Sequence, residues 1–98
     1  MKIEHGKIDG NLLLNYELTL HGMVTGDVVV DKGGLLYLHG TCCKNLIIQE
    51  GGKVYLYGTV SGDVQNINGY LEVYGAINGH LRTKTGKTVV DKNAMIGK

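Results

Sequence analysis

Gly22-Met23-Val24-Thr25-Gly26-Asp27-Val28 returns as Gly58-Thr59-Val60-Ser61-Gly62-Asp63-Val64, with its glycines, valines and aspartate in the same places. Gly6-Lys7-Ile8-Asp9-Gly10-Asn11-Leu12 and Gly75-Ala76-Ile77-Asn78-Gly79-His80-Leu81 repeat the pattern. So does Gly40-Thr41-Cys42-Cys43-Lys44-Asn45-Leu46, where Lys44 stands for the second glycine. The leading glycines are 6, 22, 40, 58 and 75, giving steps of 16, 18, 18 and 17. Such a recurrence marks a stack of similar units, each burying its apolar side against the next.

A finer period lies inside the units. Positions 24, 30, 36, 42, 48, 54, 60 and 66 are Val, Val, Leu, Cys, Ile, Val, Val and Asn. Ile8, Leu14 and Leu20 precede them; Leu71, Ile77, Thr83, Val89 and Met95 follow. Of these 16 positions 14 are apolar, with one phase slip between 20 and 24 and another between 66 and 71. Neither a helix nor an alternating hairpin has a period of six. Three sixes close a coil of three short faces, and coils stack as parallel β-structure about 4.8 Å apart. The expected fold is all-β: a single-stranded parallel β-solenoid of 16–18 residues per coil. Five full coils and a partial sixth give a rod roughly 25–30 Å long. A β-sandwich alternates by two and needs no shared 18-residue phase, which argues against it.

The composition agrees. A chain of 98 residues makes one domain, residues 1–98. It has 16 glycines but no Pro, Phe or Trp. Glycine turns the corners at low steric cost. Proline would delete a ladder hydrogen bond. A narrow core is filled by Val, Leu and Ile. With 43% hydrophobic and 19% charged residues, disorder is not expected. No apolar run is long enough for a transmembrane helix. Met1–His5 has no apolar stretch behind it, so no export signal is expected. The adjacent Cys42 and Cys43 are poorly placed to close a disulfide, which points to a reducing cytoplasm. A net charge of +1 and a single Arg, Arg82, give no electrostatic case for nucleic acid.

Alternation within each strand assigns the outward residues. Leu13, Val29 and Ile47 should stack as an exposed apolar stripe, followed by Gln65 and Arg82 on the later coils. A contiguous stripe marks a protein contact; a terminal segment folded over it is the plainer alternative. On another face Thr19, Tyr37, Tyr55 and Glu72 point outward. Tyr37 and Tyr55 are candidate contact residues, though tyrosine also simply suits a half-exposed strand. His5, His21, His39, Tyr57 and Tyr74 form a ring ladder. A zinc site from His21, His39 and Cys43 is conceivable, but ring stacking also explains how Tyr replaces His without a break. Asn11, Asp27, Asn45, Asp63 and His80 read as turn caps bonded to backbone N–H groups. Asp27 and Asp63 are not neighbours in the stack, so no paired-carboxylate site is expected. Cys42 should be core and Cys43 outward, with no base and orienting group for a nucleophile. Gly86-Lys87-Thr88 lacks the upstream glycine of a phosphate loop and reads as a corner. No catalytic, cofactor-binding or metal site is expected.

The Gly-x-(Val/Ile)-x-Gly-(Asp/Asn)-(Val/Leu) unit, clearest at Gly22–Val28 and Gly58–Val64, resembles the repeat of the bactofilins, bacterial cytoskeletal proteins with a polymerising β-solenoid domain. The likeness spans roughly residues 6–97. It implies a right-handed β-helix, end-to-end filaments without nucleotide and a scaffold for cell-envelope proteins. The six-residue period is also that of the left-handed hexapeptide acyltransferases, whose motif places a small residue after the apolar one. Here the followers include Asp31, Tyr37, Gln49 and Tyr55, against that kinship.

Two non-enzymatic functions follow. One is a self-assembling structural scaffold, with other copies of the chain as partners. The other is a compact cytosolic module that binds one protein partner, such as a toxin-neutralising immunity or inhibitor protein.

Overall fold

The computed structural model describes residues 2–97. These form a β-solenoid of about six turns, with no helix among them. The molecule measures 28 × 25 × 20 Å, a rod barely longer than it is wide.

The first face stacks β1 (Lys2–Glu4), β4 (Glu17–Leu20), β7 (Leu35–Leu38) and β10 (Lys53–Leu56). It continues into the C-terminal halves of β12 (Val64–Val73) and β14 (Leu81–Val90). The second face has two-residue strands: β2 (Lys7–Ile8), β5 (Met23–Val24), β8 (Thr41–Cys42), β11 (Thr59–Val60), β13 (Ala76–Ile77) and β15 (Met95–Ile96). The third stacks β3 (Leu12–Leu14), β6 (Val28–Val30) and β9 (Leu46–Ile48) on the N-terminal halves of β12 and β14. Each strand pairs in parallel with its equivalents in the neighbouring coils.

Like residues therefore stack on like. Leu18, Leu36, Val54 and Leu71 form one inward column, and Val24, Cys42, Val60 and Ile77 another. All eight are buried. Full burial of such a side chain contributes about 1.5–3 kcal/mol.

One corner sets the uneven repeat. Between the third and first faces the chain spends two residues (15–16), then four (31–34), four (49–52), three (67–69) and three again (84–86), while the rest of each coil keeps its length as far as β13. Those lengths account for the steps of 16, 18, 18 and 17 and for both phase slips. The four-residue corners are β-turns: Gly34 N donates to Asp31 O at 2.8 Å and Gly52 N to Gln49 O at 2.9 Å. In the three-residue corner Gly69 N donates instead to the Asn66 side chain, Oδ1 at 2.9 Å. Asn66 Nδ2 donates on to Lys87 O and Thr88 Oγ1 at 2.9 and 3.0 Å. A buried Asn in an apolar column is tolerated because each of its polar atoms is matched. Asn68 takes φ 64° in this corner, where the longer turns use Gly33 and Gly51 at φ 84° and 83°. Asn is the side-chain-bearing residue that enters this region most readily.

The second three-residue corner, at 84–86, also corrects the six-residue register near the C-terminus. Val89 and Met95 stand in the apolar series, but pairing places Val89 beside Glu72 and Met95 beside Ala76, both outward. They are 39% and 71% exposed, and Val90 and Ile96 turn inward in their place. The last corner, at Asp91–Ala94, gains a turn in which Ala94 N donates to Asp91 O at 3.0 Å.

Val54 lies between Leu36 and Leu71 and is fully buried. Val54→Asp is expected to cost at least ~3–5 kcal/mol, since it strands a carboxylate among aliphatic columns. That is comparable with the stability of a whole small domain, about 5–15 kcal/mol. Lys53→Asp, on the exposed neighbour, should melt within a few degrees of wild type. Similar thermal melts for the two variants, followed by circular dichroism, would overturn the register.

Candidate functional site

On the third face Leu13, Val29, Ile47, Gln65 and Arg82 pair rung by rung in one outward column. Leu13 is 62% exposed; Val29 and Ile47 are half-buried. The stripe expected from alternation is thus continuous over three coils before it turns polar. A shallow depression lies at that turning point, with Ile47, Gln65 and Arg82 among its lining residues.

A ladder flanks the stripe. Asn11 Oδ1 accepts from Asp27 N at 2.8 Å, Asp27 Oδ1 from Asn45 N at 3.0 Å, Asn45 Oδ1 from Asp63 N at 2.9 Å, and Asp63 Oδ1 from His80 N at 2.8 Å. Each side chain caps the backbone of the next coil. Asp27 and Asp63, separated by Asn45, are occupied in this way.

The first face is aromatic. Tyr37 and Tyr55 stack at 5.1 Å, and Tyr70 meets Tyr55 edge-on at 6.1 Å. Beside them His5, His21, His39, Tyr57 and Tyr74 form an unbroken stack, with successive centroids 5.1, 4.9, 4.8 and 5.2 Å apart. Ring faces are turned to one another within this stack, so the column presents ring edges outward. Tyr and His exchange in it because both are planar and their rings sit about one coil spacing apart.

One feature escaped the sequence reading. The carboxylate of Glu72 accepts hydrogen bonds from the hydroxyls of both Tyr70 and Tyr74. The signal is Tyr70-Leu71-Glu72-Val73-Tyr74, in which alternation sends all three polar side chains to the same side. The Tyr70 bond, then the Tyr74 bond, holds the Glu72 carboxyl below the usual carboxylate range. The same bonds raise both phenols, Tyr74 to about 12. Tyr55 is raised by burial and then by the Glu72 charge.

Chemistry elsewhere is sparse. Cys42 is buried, and burial pushes its thiol up; Cys43 is half-buried and also free. Among the described residues no group of three or more His, Cys, Asp and Glu is placed to hold a metal ion. Lys7 pairs with Asp9 at 3.4 Å, both exposed. No described helix is long and apolar enough to cross a membrane. No family model, curated protein or solved structure matches the chain.

The clamp has a pH signature. Glu72, lowered on folding, contributes stability above the ordinary carboxylate range that is lost as pH falls. Tyr74, raised on folding, contributes stability below about pH 10 that is lost as pH rises through about 12. In Glu72→Gln the highest phenol midpoint in an ultraviolet titration should move down towards about 10. An unchanged midpoint, with the fold intact by circular dichroism, would remove the clamp.

Proposed function

We propose that this protein is a non-enzymatic structural scaffold that self-assembles through its β-solenoid. The observation that carries this reading is the edge at the end of the stack. β14 is ten residues long and pairs with β12 alone among the described strands. Val90, inward on that edge, is 46% exposed, whereas its partner Val73 is buried. Unpaired backbone and open core at the end of a stack favour pairing with another chain. The repeat's resemblance to bactofilins supports the same reading, and the two free cysteines suit a reducing compartment such as the cytoplasm.

The stripe supplies a second, lateral contact. A two-fold pair of copies would bury Leu13, Val29 and Ile47 against themselves, since closed contacts use one patch twice. Burying Leu13 adds at most roughly 1.5–3 kcal/mol before the cost of association, and the half-buried Val29 and Ile47 add less. The binding-module reading is favoured by the same stripe and by Tyr37 and Tyr55, which offer a rigid aromatic surface to a partner protein.

Sedimentation at several concentrations separates the two. Wild type should grow with concentration, and Val29→Lys should do so less by losing the lateral contact. If both run as the same monomer throughout, self-assembly is wrong, and the stripe becomes a site for a different protein.

A further inference from the structure

Of the seven asparagines in the chain two, Asn68 and Asn78, precede glycine, and both stand in the same local sequence, Ile-Asn-Gly. Such a pair carries chemistry of its own. The glycine backbone nitrogen is a nucleophile within reach of the asparagine side-chain carbonyl, and a glycine puts no side chain in the way. Packing holds both glycines in place. A Cβ on Gly69 would lie 2.4 Å from Ile48 Cγ2, and one on Gly79 2.1 Å from Asp63 Oδ1.

Both asparagines are exposed, but the fold holds the two nitrogens differently. Around Asn78 the main chain is bonded into the stack: Asn78 N donates to Val60 O and Gly79 N to Gly62 O, each at 2.9 Å. Asn68 lies in the three-residue corner at φ 64°. It has no register partner on β14, because the pairing passes from Ile67 with Thr85 to Gly69 with Gly86. Gly69 N is held by a side chain, donating to Asn66 Oδ1 at 2.9 Å. Freeing Gly79 N means parting two coils, whereas freeing Gly69 N means turning one peptide of an irregular corner, a smaller local opening. We infer that Asn68–Gly69 is a site of spontaneous covalent modification in the folded protein, restrained by the Asn66 amide.

Gly69 N forms a bond to Asn68 Cγ; the Cγ–Nδ2 bond breaks, and Nδ2 leaves as ammonia with the proton that Gly69 N gives up. Water then opens the five-membered imide at either carbonyl. Attack at one leaves an aspartyl residue at position 68. Attack at the other leaves an isoaspartyl residue, in which the main chain runs through the former side chain and is one methylene longer. An aspartyl residue still suits the left-handed conformation of this corner and adds a negative charge. The isoaspartyl form lengthens the link between the two halves of β12, where corner length sets the register. The reaction is intramolecular and does not depend on self-assembly.

Peptide mapping by mass spectrometry, after incubation at mildly basic pH, reads both sites in one sample and separates aspartyl from isoaspartyl products. Each site's rate in the folded protein is divided by its rate in urea, where the shared Ile-Asn-Gly context makes the two alike. By that ratio Asn68 should convert about three- to tenfold faster than Asn78, the factor that one hydrogen bond sets. Asn66→Ala should raise the Asn68 rate by about the same factor and leave Asn78 unchanged. Asn68→Gly, which the corner conformation accepts, should abolish product at the corner alone. Circular dichroism verifies each fold; if Asn66→Ala unfolds, the comparison of wild type with and without urea decides alone. A ratio at Asn68 equal to or below that at Asn78 would overturn the site. An unchanged Asn68 rate in folded Asn66→Ala would overturn the restraint.

Discussion

The backbone of each coil must return to a point one strand spacing above its start, with donors over acceptors, and this close return governs the rest of the structure. It is tightest at the corner before the second face. A Cβ on Gly22 would lie 1.8 Å from the carbonyl oxygen of Gly6, and one on Gly40 1.8 Å from that of Gly22. At Gly58 and Gly75 the approach would be 2.0 Å. No rotamer relieves such a contact, because Cβ position is set by the backbone. The column is therefore glycine for steric reasons, and it leaves the carbonyls free to bond: Met23 N to Gly6 O at 3.1 Å, Thr41 N to Gly22 O at 3.0 Å.

Once the backbone is stacked, every side chain has a neighbour of the same column above and below. The asparagine–aspartate ladder follows, and it explains the second glycine of the unit. A Cβ at Gly26, Gly62 or Gly79 would come within 2.1–2.5 Å of the ladder oxygen of the coil before. Lys44 breaks the glycine series, yet Asn45 N still donates to Asp27 Oδ1 at 3.0 Å, so the ladder does not fail at one exception. A column tolerates local substitution when the register is held by the other columns of the same coil. The aromatic stack shows the same tolerance in passing from His39 to Tyr57 at 4.8 Å.

The interior was legible in the sequence because an inward column records its own spacing: Leu36, Cys42, Ile48, Val54 and Val60 are six apart and all buried. The lengths of the last corners were not, since a turn of two, three or four residues leaves no apolar mark. That is why Val89 and Met95 read as inward and face solvent. Asn66 read as an inward member of the series and is buried, but the sequence did not show that its amide stands in for the missing turn residue. The outward stripe and the ring ladder could be placed from strand alternation alone. The Tyr70–Glu72–Tyr74 clamp needed the direction in which two phenols lean, which a column assignment does not contain.

A uniform interior and a graded exterior have different consequences. Inside, one coil is nearly interchangeable with the next, so packing alone gives the rod little sense of direction. Outside, each column changes character on the way up. Leu13, Val29 and Ile47 give way to Gln65 and Arg82; imidazoles give way to phenols; an excess of acid gives way to an excess of base. Solvent-facing positions bear few packing constraints, so these gradients cost the fold little and can differ between its two ends. Repeated core columns supply cohesion, and the unrepeated surface supplies orientation. Any partner, a second copy included, meets different chemistry at the two ends of this rod.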